Sequence, residues 1–167
     1  MSPEASETHA NEAERVADQL ERAFEGDAWH GPSISEILAD VPAALAAARP
    51  LPAAHSILEI VLHMTAWQRT VRERLEGKPL QALPDDENWP RRAELSESDW
   101  AEVVCELRKE YELLRSHALN WSGRDLGGTT EGGRYTVYEM LHGIVQHSLY
   151  HAGQIALLKK AVGETPR

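Results

Sequence analysis

Two histidines, His147 and His151, stand one helical turn apart in the run HGIVQHSLYHAGQIALLKK over 142–160, with Gln154 close to a further turn on. At about 100° per residue, positions i and i+4 differ by about 40°, so the two imidazoles project side by side. Met140, Ile144 and Leu158 fall on the same side, which turns the pair inward. Two buried imidazoles are costly unless each finds a partner, and they repel when both are protonated. A divalent metal resolves both difficulties, because it takes a lone pair from each neutral ring. The plain alternative is two separately hydrogen-bonded core histidines, and the spacing leaves both readings open.

A pair holds a metal poorly, so a third ligand is required. The run SILEIVLHMTAWQRTVRERL places His63 among Ile60, Val61, Leu62 and Met64, with Trp67 one turn on and no evident local partner. The other histidines suit less well. His9 and His30 lie near the start and in a loop, His55 precedes its helix, His117 lies in a charged stretch, and His142 points away from the 147/151 pair. His63, His147 and His151 are therefore the set a helical bundle could focus on one point. Ser148 follows His147, so the glutamate of the HExxH zinc-protease motif is missing. Glu59, one turn before His63, is either a supporting base or a helix-capping acid. Gln154 either supports a bound water or an imidazole, or ties two helices together.

The elements that position these residues are helical. Ser33–Glu36, Ser56–Glu59, Ser96–Asp99 and Thr136–Glu139 each set a hydroxyl three residues before an acid, as a capping box does, and each opens a periodic apolar run. Helices are expected at 8–25, 34–47 (short, disturbed by Pro42), 56–77, 97–121 and 136–162, with Gly26, Gly77, Gly123 and Gly163 at or beyond their ends. The expected fold is all-α, an antiparallel four-helix bundle with one short additional helix, forming a single domain over 1–167. The 77–95 segment is long for a plain connection and is expected to cover a cleft. The glycine-rich 122–136 segment follows a helix and lacks the GK[ST] ending of a phosphate loop. Cys105, in WAEVVCELRKEYELL, reads as a small core hydrophobe.

A length of 167 residues suits one domain, and 42% hydrophobic with 26% charged residues is a globular composition. The formal net charge of −10 and the lack of a compact basic stripe exclude nucleic acid as a partner. The acidic N-terminal stretch is not expected to act as a signal peptide, and no apolar run approaches the roughly 18 residues that span a bilayer. A lone cysteine permits no internal disulfide, and a cytoplasmic location without membrane attachment is expected.

The runs GPSISEIL (31–38), HSILEIVLHMTAWQ (55–68) and IVQHSLYHAGQIALLKK (144–160) resemble the DinB-like superfamily, in particular its YfiT-like branch, described as metal-dependent hydrolases. The resemblance implies a four-helix bundle with zinc or nickel held by three histidines, which fall on His63, His147 and His151, and it implies a homodimer. It also implies a small-molecule substrate, attacked by a metal-activated water. Relatives in the wider superfamily are thiol S-transferases, so a metal-dependent transferase using a low-molecular-weight thiol is the alternative, and a metal or small-ligand binder without turnover is a third.

Overall fold

The computed structural model describes residues 3–79, 82–92, 94–121, 125–130 and 133–163, with side chains from residue 12 to 162. Gly123, expected as a helix stop, and parts of the 122–136 segment lie outside them. Among the described residues seven helices follow in order: α1 (Pro3–Phe24), α2 (Ile34–Leu38), α3 (Ala43–Ala47), α4 (Ile57–Leu75), α5 (Asp85–Asn88), α6 (Glu97–Asn120) and α7 (Val137–Gly163). All four expected caps form. In three of them Ser33, Ser56 and Ser96 accept from the third backbone N–H while the acid there reaches back. Thr136 and Glu139 do the same for α7, at 3.1 and 2.8 Å. These caps fix the register of the helices that carry the histidines, because His63 lies two turns beyond Ser56 and His147 three turns beyond Thr136.

The one short helix expected at 34–47 is two helices. Pro42 has no amide proton to donate and disfavours helical backbone at Val41, so the chain breaks there and restarts with Pro42 as the N-cap of α3. A further short helix, α5, lies inside the segment expected as a loop.

The four long helices form a ring in which α1 touches α6, α6 touches α4, α4 touches α7 and α7 returns to α1. Its core includes Leu20 and Phe24 from α1, Val61 and Met64 from α4, Leu107 and Leu114 from α6, and Leu141 and Ile155 from α7, each no more than 2% exposed. Cross-helix pairs give the directions. His63 meets both His147 and His151, whereas Val71 and Arg74 share a cavity with Met140, so α4 and α7 are antiparallel. Glu25 pairs with Arg108 and Glu21 with Arg115, so α1 and α6 are antiparallel too. Between α4 and α6 the order is different: Arg69 meets Glu106, Arg72 meets Glu110 and Glu76 meets His117, each step forward on one helix being a step forward on the other. These neighbours run the same way. The 77–95 connection is long because it must carry the chain back along the bundle before α6 can start.

Cys105 is exposed, which corrects the expectation of a core position. Val103, Leu107, Tyr111 and Leu114 take the inner face of α6 at helical spacing, and Cys105, two residues from both Val103 and Leu107, falls about 200° around from each. Among the described residues no helix is long and apolar enough to cross a membrane.

Candidate metal centre

The antiparallel α4 and α7 bring the expected set together. His63 and His151 are buried and His147 is half-buried, and one ring nitrogen from each lies within 4.8 Å of the others. His147 Nε2 is 3.0 Å from His63 Nε2 and 3.2 Å from His151 Nε2. Nitrogens held about 2.0–2.1 Å from a tetrahedral ion would be separated by about 3.3 Å, so these contacts are close to the edges of such a site.

The outer nitrogens decide the tautomers. His63 Nδ1 lies 2.7 Å from the Asn88 carbonyl oxygen, which can only accept. His151 Nδ1 lies 2.6 Å from Gln154 Oε1. Each of these rings therefore carries its proton on Nδ1 and turns the Nε2 lone pair inward. His147 can offer one proton from Nε2 to one of them, not to both. Its Nδ1 is buried with no hydrogen-bond partner among the described residues. Without a cation, at least one inward Nε2 lone pair is left without a donor about 3 Å from the His147 nitrogen, and the donor set fits a divalent ion. Burial pushes the His147 imidazolium down to about 3, with the neighbouring rings of His151 and His63 adding to the effect. Burial also lowers His63, against the opposing Asn88 carbonyl, and lowers His151, against Gln154. All three rings are neutral at physiological pH, as ligands must be.

Asn88 and Trp89 of the 77–95 segment cover this centre, as expected of that segment. Trp89 is stacked between His55 and His63, with ring centroids 3.6 and 3.8 Å away and planes within 5°. The Asn88 side-chain oxygen accepts from Trp67 Nε1 at 2.9 Å while its backbone carbonyl holds His63. Neither residue was identifiable from the sequence, where they fall in a stretch with no periodicity. Gln154 takes the first of its two expected roles, on His151. Glu59 takes the capping one: its carboxylate accepts from Ser56 N–H at 2.9 Å and pairs with Arg49. Burial works to raise its pKa, but those partners outweigh it and the group is held below the usual range. Of the other described histidines, His55 reaches the cluster through Trp89, whereas His30 is exposed, His117 sits on Glu76 and His142 on Glu12.

A cavity of about 560 Å³ opens beside the three rings. Its walls include Trp67, Val71, Met140 and Ile144, and Glu139 is the one carboxylate among its described lining residues. That carboxylate is engaged by the Thr136 backbone N–H and hydroxyl.

A helical bundle with an inward three-histidine cluster on facing helices, able to hold a metal ion, is the class that fold and site define. The family model of the DinB superfamily matches residues 28–155, well over half of the chain, and the chain belongs to that superfamily. No curated protein and no solved structure matches it.

Proposed function

We propose that the chain is a metal-dependent hydrolase of a small organic molecule, with zinc or nickel held by His63, His147 and His151. The observation that carries this reading is the tautomer arrangement: two rings are locked with Nε2 lone pairs inward, and the third cannot satisfy both. When bound, such an ion supplies Lewis acidity and makes a nucleophile at its open position acidic enough to ionise near neutral pH. The chain's own residues orient and desolvate. The Asn88 carbonyl and Gln154 hold protons on the outer nitrogens, and Trp67 and Trp89 wall the cavity beside the rings with apolar surface. With Glu59 and Glu139 both engaged in caps, no carboxylate of the described lining stands ready as a general base.

That last point favours a second reading, a thiol S-transferase. The ion held by these three histidines would supply the acidity that ionises a low-molecular-weight thiol, and this reading asks no general base of the chain. A cytoplasmic homodimer is proposed on the resemblance to the family.

Metal content of protein purified without a histidine tag tests the site. About one equivalent is expected, lost in His147→Ala. Less than about 0.2 equivalents, unchanged by that substitution, would refute it. For metal-bearing protein, turnover of ester and amide panels without added thiol supports the hydrolase. Turnover that requires bacillithiol, mycothiol or glutathione and vanishes in His63→Ala supports the transferase. Metal retention with turnover in neither assay marks a binder and refutes both enzyme readings.

A further inference from the structure

The cavity beside the histidines has a second chemical end. His63, Trp67, Val71 and Arg74 lie at i, i+4, i+8 and i+11 on α4, share one face, and all line the cavity. Arg74 is three turns beyond His63, and it is the only Lys or Arg among the described lining residues. Its guanidinium carbon sits 5.7 Å from the centroid of the Trp67 ring, and that centroid is 5.9 Å from the His147 ring. The cation and the histidine cluster therefore both stand against a single indole, three turns apart along α4. Arg74 is 9% exposed, and burial works against its charge, yet a guanidinium keeps its proton. It also borders a smaller polar cavity of about 320 Å³ with Glu73, Lys78 and Glu87, so it marks where the apolar trough becomes a charged mouth.

The form of this trough states what fits it. The walls between the two ends are aromatic and aliphatic, and the volume is that of an ordinary small-molecule site. A planar guanidinium matches a carboxylate through two parallel N–H donors. A phosphate dianion matches less well, because one cation would face two charges with the Glu139 carboxylate on the same wall. We propose that the cavity binds a small amphipathic carboxylate, with its carboxylate on Arg74, its apolar body along Trp67, Val71, Met140 and Ile144, and its reacting atom at the three histidines. Only the last clause rests on the enzyme reading above. The cation and the apolar walls stand without it.

Fluorescence of Trp67 and Trp89 follows binding in the full-length metal-loaded protein, titrated with 4-phenylbutyrate and with its neutral amide. The acid is expected to bind at least about tenfold more tightly than the amide. Arg74→Gln should reduce that ratio below about threefold with an unchanged circular dichroism spectrum. A ratio near one in the wild type overturns the proposal whatever the variants do. So does a ratio that survives in Arg74→Gln, since the acid would then be held elsewhere, for instance by the metal. Arg74→Lys keeps the charge without the fork and should give an intermediate ratio; a ratio equal to wild type overturns the assignment to the fork. Metal-depleted wild type should keep the preference, and its loss on depletion overturns the proposal. Metal content measured on the same samples separates the two readings. Protein that never holds metal but prefers the acid refutes the enzyme and leaves the anion site, and metal-bearing protein without the preference does the reverse.

Discussion

Replacing Gln154 by Leu should weaken metal binding by about ten- to a hundredfold while leaving the metal-free fold intact. The amide oxygen lies 2.6 Å from Nδ1 of His151, a residue 4% exposed, and it holds the ring with Nε2 bare. Leucine has a similar volume and accepts nothing. In the metal-free variant the ring escapes at little cost, because its proton can move to Nε2 and point at His147 Nε2, 3.2 Å away. That tautomer cannot ligate through Nε2. Binding a metal then requires the proton back on Nδ1, buried without an acceptor, at about 1–3 kcal/mol. The same energy is roughly a 5- to 150-fold loss of affinity. Competition against a chromophoric chelator measures the affinity, and a thermal melt of metal-free protein run beside it should move by no more than about 4 °C. Gln154→Glu, which keeps an acceptor, should bind metal at least as well as wild type. An affinity for Gln154→Leu within twofold of wild type would refute the reasoning, since the second nitrogen of His151 would then have no part in setting its donor.

The three neutral histidines predict a pH dependence with a definite sign. Their folded pKa values lie below the ordinary value of about 6.5, that of His147 at about 3, so between these limits the unfolded chain binds more protons than the folded one. Stability must fall as pH drops through this window, and a urea midpoint for metal-free protein at pH 5 equal to that at pH 7.5 would contradict it. Trp89→Ala removes the ring wedged between His55 and His63, and it should speed chelator-driven release of metal several-fold; an unchanged release rate would mean that Trp89 does not shield the centre. Glu110→Leu removes a carboxylate 3% exposed that accepts from Arg69 and Arg72 at 2.9 and 3.0 Å. The expected cost in urea unfolding is about 2–3 kcal/mol, below that of breaking a fully buried pair because both arginines reach solvent, and a cost under about 0.5 kcal/mol would count against the network.

The sequence by itself determined what is local. The caps at Ser56 and Thr136 and the four-residue spacing of His147 and His151 are properties of one helix at a time, so the helix starts and the inward pair could be read directly. His63 was legible for a related reason, as a polar group stranded among Ile60, Val61 and Met64. The mixed run of α6 does not display its inner face, and Cys105, which reads as a core residue, lies outside that face. What the tertiary structure decided depends on where the chain returns. The 77–95 crossover lets α4 and α6 run the same way, and it lays the Asn88 carbonyl and the Trp89 ring on His63. A backbone oxygen has no sequence signature, and a tryptophan in an aperiodic segment does not say which ring it will cover. Arg74, near the end of α4, gave no sign of facing a cavity until α7 lay opposite it. Helical periodicity fixes which side chains share a face, and only packing between distant segments fixes what that face meets.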